Sequence, residues 1–253
     1  MNISEFISTL PGSVLKGNNI KMPDNVIRRM FNLACLGASD IFYDLGCGNS
    51  DAIYIASTEY KVKKAIGVEK SKTAVREIVG KTQKLKNVKV VINDIRRMDI
   101  SDGNVFLFLS NDDRIIQKMI RKFTSELKFG SKIISIWSPP GLIMPDKIDF
   151  PFFVSSTPFK FAVSIEEQIK VVYGQKCLDF TAAWMLGDKY LESLEVVPSQ
   201  YKRFLNILYA MIIWINAWKM KVSCEDEIPP PVESYLGILR TFFNIDMSSL
   251  IEH

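Results

Sequence analysis

Apolar positions recur at helical spacing from Asp24 to Leu36. Val26, Ile27, Met30, Phe31, Leu33 and Ala34 fall on one stripe behind the start signal Met22-Pro23-Asp24. Five short runs then have strand texture: Ile41 to Leu45, Ala65 to Glu69, Val88 to Ile92, Val105 to Leu109 and Lys132 to Trp137. Helical patterns separate them, from Ser50 to Tyr60, Lys72 to Leu85 and Asp112 to Leu127. The last carries Ile115, Ile116, Met119, Ile120, Phe123 and Leu127 on one stripe. Strands that are apolar nearly throughout and alternate with helices predict an α/β fold with a parallel sheet covered on both faces.

From Ser138 the texture changes, with Pro139, Pro140, Pro145, Pro151 and Pro158 marking loops and short edge strands. Ile169 to Tyr173 reads as one more strand. Helical patterns follow around Phe180 to Leu194, from Ser199 to Met220 and, after Pro229-Pro230-Pro231, from Val232 to Phe243. The expected organisation is an N-terminal segment at 1–18, a domain at 19–174 and a C-terminal helical extension at 175–253. Tyr201, Phe204, Leu205, Leu208, Tyr209, Ile212 and Ile215 make an apolar surface too broad to face water, so this helix is expected to pack on the catalytic domain or a second copy.

The 253 residues are 47% hydrophobic and 24% charged, which suits a packed core and not disorder. The net charge of +4 is spread along the chain, so no arm stands out as a nucleic-acid clamp. The lysine-rich segments Lys61 to Lys64 and Lys81 to Lys89 read as solvated loops. The uncharged stretch from Phe204 to Trp218 falls short of the ~20 residues a bilayer span needs, and the first residues lack a basic leader and a long apolar core. A cytoplasmic protein is expected. Cys35, Cys47, Cys177 and Cys224 lie far apart, which argues against a zinc site or a disulfide framework. The single histidine is His253, so Ser-His-Asp, Cys-His and His-ligated metal mechanisms lack their imidazole.

The candidate chemistry begins at Ile41-Phe42-Tyr43-Asp44-Leu45-Gly46-Cys47-Gly48-Asn49-Ser50, a strand entering a glycine turn that opens a helix. Such a turn lets backbone approach a ligand, and the helix start favours an anionic group. An acidic residue ends or follows each of the next two strands, Glu69 and Asp94. Strand C-termini of a doubly wound sheet share one crevice, so Asp44, Gly46, Gly48, Glu69 and Asp94 are expected to converge there. Glu69 is placed for ribose hydroxyls and Asp94 for an adenine amino group. A nicotinamide-binding turn would demand glycine or alanine where Asp51 stands.

On these residues the segment from about Lys21 to Tyr173 resembles a class I S-adenosylmethionine-dependent methyltransferase. Met22-Pro23-Asp24-Asn25-Val26-Ile27-Arg28-Arg29-Met30, Tyr43-Asp44-Leu45-Gly46-Cys47-Gly48 and Val62-Lys63-Lys64-Ala65-Ile66-Gly67-Val68-Glu69 are similar to the compact archaeal protein-lysine methyltransferases. The resemblance implies a Rossmann-like, seven-stranded, mostly parallel sheet with helices on both faces, and S-adenosyl-L-methionine as cofactor. It implies a binding set of Met22, Pro23, Asp44, Gly46, Cys47, Gly48, Glu69, Lys70, Asp94, Ile95 and Ser110, with Asn111 and Asp112 as catalytic residues beside the transferred methyl. Ser50 departs from the family's D-x-G-x-G-x-G; in a left-handed conformation serine costs roughly 1 to 2 kcal/mol.

Alternatives stay open at several of these positions. Ser110, Asn111 and Asp112 are also N-cap residues for the helix that follows. Trp184, Trp214 and Trp218 suit a core as well as an aromatic cage. The acceptor is unidentified: protein lysine, a small molecule, an RNA, or none if catalysis has decayed to a scaffold. A homodimer through the helical extension is one arrangement; metal, membrane and a strong nucleic-acid signal are not expected.

Overall fold

The computed structural model describes residues 22, 24–48, 51–110, 112–136, 139–174, 177–193, 199–219, 221–248 and 251. Its chain contacts separate two compact units, one within Ser13–Ala162 and the other, for its described residues, within Val163–His253. The division falls ahead of the boundary expected at 174.

In the first unit the elements run α1 (Asp24–Ala34), β1 (Ile41–Leu45), α2 (Ala52–Thr58), β2 (Lys64–Glu69), α3 (Lys72–Thr82), β3 (Val88–Ile92), β4 (Val105–Phe108), α4 (Asp113–Glu126), β5 (Lys132–Ile136), β6 (Lys147–Asp149) and β7 (Phe152–Ser156). The strands form one seven-stranded sheet in the order β3-β2-β1-β4-β5-β7-β6. The first five strands are parallel, while β7 runs antiparallel to β5 and β6. The expected α/β, Rossmann-like sheet is therefore present. Its last two strands come from the proline-rich stretch whose texture suggested loops and edge strands; β6 is the edge and β7 lies inside it.

Strand alternation explains how both faces fill. Phe42 packs edge-on to Phe31 of α1 at 5.0 Å between ring centroids, while its neighbour Tyr43 stacks on Phe106 at 5.5 Å on the opposite face. There Met119 and Phe123 of α4 close the core with Leu45, Ile66, Val68, Phe108 and Ile133. Helix α1 is fixed by two bidentate ion pairs, Arg28 to Glu59 at 2.8 Å and Arg29 to Asp149 at 2.6 Å. Arg29 also lies over the Phe152 ring.

The second unit holds α5 (Ile165–Tyr173), α6 (Phe180–Ser193), α7 (Ser199–Lys219) and α8 (Pro230–Phe243). Two expectations are corrected here. Ile169 to Tyr173 is not a strand but the end of α5. Ser164 Oγ accepts the Glu167 N–H while the Glu167 carboxylate accepts Val163 N–H, the reciprocal cap that a Ser-x-x-Glu spacing signals.

The cysteines are not all isolated: Cys177 and Cys224 are disulfide-bonded, 47 residues apart in sequence. Leu178 before α6 bridges to Ser223 after α7, so the hairpin of these two helices returns the chain to its start and brings the thiols together. Spacing along the chain cannot disclose that return. Cys47 is buried and Cys35 is exposed.

The broad apolar surface of α7 packs on α6 of its own unit, with Leu205, Leu208, Met211, Trp214 and Ile215 buried. Trp214 is core rather than cage: it is fully buried, donates its indole N–H to Glu225 at 3.0 Å and stacks on Trp218. Glu225 also accepts from Phe180 N–H and Ser223 Oγ. Burial alone would raise its carboxyl, but these hydrogen bonds hold it below the usual carboxylate range. Pro229 precedes the first turn of α8, so the proline run serves as a helix start. Among the described residues no helix is long and apolar enough to cross a membrane.

Gly67 sits in the middle of β2, where a Cβ would overlap Ile53 Cδ1 of α2 and lie 2.9 Å from Cys47 Sγ. Gly67→Ala is expected to lower stability by about 1–3 kcal/mol through overpacking, read as a shift in the denaturant midpoint at unchanged slope. Replacing Cys177 and Cys224 by serine frees a loop of this length and should cost about 2–4 kcal/mol, with the loss confined to unfolding of the helical unit in hydrogen exchange.

Candidate active site

The sheet order reverses between β1 and β4, because the chain builds outward through β2 and β3 before crossing back. Ligand crevices of open α/β sheets lie at such a switch, outside the strand C-termini. The register brings the predicted residues to this edge: Leu45 pairs with Val68, Glu69 with Ile92 and Leu45 with Phe108. The ends of β3, β2, β1 and β4 therefore stand side by side. Asp44, Gly46, Cys47 and Gly48 come from β1 and its turn, Glu69 and Lys70 from β2, Asp94 and Ile95 follow β3, and Ser110 and Asp112 follow β4.

The turn after β1 is built around positive φ angles, +88° at Gly46 and +51° at Gly48, which side chains rarely adopt. Among the described residues, no atom beyond the adjoining residues lies within 4 Å of a Cβ built at either glycine, so the turn presents bare backbone there. Its underside is tied to β2, since Gly46 and Cys47 N–H donate to the Val68 carbonyl at 2.9 and 3.1 Å.

Glu69 closes the same turn, accepting Gly48 N–H on Oε2 at 2.9 Å and Lys70 and Ser71 N–H on Oε1 at 2.7 and 2.8 Å. A carboxylate has about four acceptor positions, so Glu69 keeps capacity for a ligand hydroxyl. Asp44 is only 4% exposed. Burial pushes the Cys47 thiol far up, and the charges of Asp44 and Glu69 push it further, so Cys47 is a neutral packing group beside both carboxylates.

Asp94 is held by a residue that sequence reasoning missed. Arg96 donates from its backbone N–H at 3.0 Å and, through Nε and Nη2, to both carboxylate oxygens, while Lys70 Nζ lies 3.1 Å from Oδ2. These contacts, Arg96 foremost, hold the Asp94 carboxyl well below the usual range. The signal was an arginine two residues after the acid, where a tight turn folds it back. The Asp112 charge adds to the field that keeps Arg96 protonated, which links the ends of β3 and β4.

Asp112 caps α4, its Oδ1 accepting Arg114 and Ile115 N–H at 2.8 and 3.1 Å, and Ser110 Oγ accepts Asp112 N–H at 3.3 Å. The capping reading of these two residues is thus realised in the geometry. Met22 is half-buried directly before α1. Pro23, Ser50 and Asn111 lie outside the described residues.

The comparisons agree with this architecture. A family model described as a methyltransferase domain matches residues 38–194. A protein-lysine N-methyltransferase of Saccharolobus islandicus (strain REY15A) is 31% identical over 135 residues, spanning 49% of this chain and 82% of that protein. The crystal structure of an RNA methyltransferase from Salinibacter ruber in complex with S-adenosyl-L-homocysteine superposes with a TM-score of 0.53 at 21% identity, covering 58% of this chain and all of that one, which is a likeness of fold. A Rossmann-like sheet with a glycine turn and acids at its C-terminal edge defines the class as an S-adenosylmethionine-dependent methyltransferase. This chain belongs to the methyltransferase-domain family.

The Asp94 latch has a definite pH signature. Its carboxyl titrates lower in the folded chain than the ~3.9 of an unfolded one, so its stabilisation is full above about pH 5 and is lost as pH falls below about 4. The gap in thermal midpoint between the native protein and Asp94→Asn should be flat from neutral to mildly acidic pH, then narrow on further acidification. A gap independent of pH throughout would remove the ionised latch.

Proposed function

We propose that the enzyme transfers the methyl group of S-adenosylmethionine to the ε-amino group of lysine in a protein, on the C-terminal edge of the sheet. The observation that carries this reading is the Gly48 N–H donated to Glu69, which joins the bare glycine turn and the acid of β2 into one cradle. The residues fit the cofactor: the open backbone at Gly46 and Gly48 suits the methionine end, and the acceptor position that Glu69 keeps beyond its three N–H donors suits a ribose hydroxyl. Lys70, Asp94 and Ile95 then border the adenine, whose amino group has to share Asp94 with Arg96. The lysine acceptor is supported by the 31%-identical relative, a protein-lysine N-methyltransferase. On this reading the enzyme works in the cytoplasm.

When bound, the cofactor supplies an electrophilic methyl on a sulfonium and a neutral thioether leaving group. The chain contributes position and field, which suits a described site without an imidazole. An acceptor lysine must first shed its proton, a cost of about 4–5 kcal/mol at pH 7. The proton passes to solvent before transfer, and the segment after β4 then positions the neutral amine: Asn111 orients it through its side-chain oxygen, and Asp112, fixed by its cap to α4, holds that segment in register.

The test is transfer of labelled methyl from S-adenosylmethionine into a cell lysate, followed by protease or nuclease digestion and identification of the modified group. Label on lysine in protein is expected; label only in RNA or in small molecules would overturn the acceptor while leaving the cofactor reading intact. In the same assay Asn111→Ala should lose at least 10-fold in turnover, about 1.4 kcal/mol, with cofactor affinity by calorimetry unchanged.

A further inference from the structure

The two lysine-rich segments, each unremarkable in sequence, come together at the N-terminal edge of the sheet. Pairing of Ala65 with Val88 sets the start of β2 beside the start of β3. Asn87 fastens them: its carbonyl accepts Ala65 N–H at 2.8 Å, its side-chain amide donates to the Val62 carbonyl at 2.8 Å, and its Oδ1 accepts Ser57 Oγ at 2.6 Å. The result is an open groove of about 530 Å³ lined by Lys63, Lys64, Lys86, Asn87, Val88 and Lys89.

Charge in this groove is of one sign. Lys64 is engaged by Asp102 at 3.3 Å, and Asp102 also accepts the Tyr43 hydroxyl. Among the described residues no carboxylate pairs with Lys63, Lys86 or Lys89, all of them exposed. The groove is also set apart from the cofactor edge, because five residue steps of β2 separate Lys64 from Glu69, about 17 Å at the rise of a strand. It is therefore separate from the proposed site of methyl transfer.

We propose that this groove binds the phosphate backbone of a nucleic acid without reading its sequence. Lysine is a compact point charge suited to phosphate oxygens, and backbone contacts position a partner but do not specify bases. No aromatic side chain lines the groove, so it offers no platform for stacking a base. A protein partner is disfavoured by the same composition, since protein interfaces are depleted in lysine and anchored by aromatic and apolar groups. Asn87 fixes the backbone that carries these lysines side by side, and the mutual repulsion of Lys63, Lys86 and Lys89 is relieved by a polyanion.

The experiment is fluorescence anisotropy with a labelled duplex DNA of about 20 base pairs across a salt series on the full chain. Binding is expected with a logarithmic salt slope of roughly −3, from three to four neutralised phosphates. The triple variant K63Q/K86Q/K89Q should weaken binding at least 10-fold and flatten the slope toward zero, while K63R/K86R/K89R restores both. Unchanged thermal midpoint and S-adenosylhomocysteine affinity in both variants would show that fold and cofactor site are intact. No binding at about 50 mM salt, or binding indifferent to the glutamine variant, would overturn the proposal. Displacement of the duplex by polyglutamate at equal charge would also do so, and would point to an acidic protein instead.

Discussion

The contact on which the site depends is the closure of the glycine turn by the end of β2. Gly46 and Cys47 are hydrogen-bonded to the Val68 carbonyl, and Gly48 to the Glu69 carboxylate, so the turn leaves β1 at an angle set by its neighbour strand. Parallel pairing makes this inevitable once Leu45 stands beside Val68. The two positive φ angles allow the backbone to follow. Gly67 contributes from beneath, because its missing side chain lets Ile53 and Cys47 settle against the strand. Turn, crossover helix and acid are thus one packed unit, and each holds the others in place.

Charge is distributed across the sheet with a similar economy. At the C-terminal edge the acids are restrained: Glu69 by backbone N–H groups, Asp94 by Arg96 and Lys70, Asp112 by the start of α4. Carboxylates restrained in this way need little rearrangement to accept hydrogen bonds from a ligand. At the opposite edge the lysines of β2 and β3 have few acids to answer them. One strand pair therefore carries an acidic end and a basic end, about 17 Å apart.

The helical unit follows a different logic. Its long helix buries Trp214 and Ile215 against α6, and the disulfide with the Leu178–Ser223 bridge fastens the two ends of the hairpin. Glu225 satisfies the Trp214 indole, the Phe180 amide and the Ser223 hydroxyl at once, so the polar groups at that end are paired without water. This unit forms its own core, and the family match through residue 194 includes its first two helices.

Much of this was legible along the chain. The strands Ile41 to Leu45 and Val88 to Ile92 and the stripe of α4 stood out because burial on both faces or on one stripe imposes a local period. The acids Asp44, Glu69 and Asp94 could be assigned to one edge because parallel strands end together. Other features depend on distances that no period encodes. Ile169 to Tyr173 looked like a strand until the cap of Ser164 and Glu167 decided for helix, since a short apolar run satisfies either period. The joining of Cys177 to Cys224 and the meeting of Lys63 with Lys86 arise where the chain folds back on itself, whereas Arg96 reaches Asp94 through a local tight turn that no hydrophobic period marks. Local sequence thus determined which elements form and which end of each strand is acidic. Only the tertiary structure decided which charges and thiols become neighbours, because the packing that sets those distances is made by residues far apart in the chain.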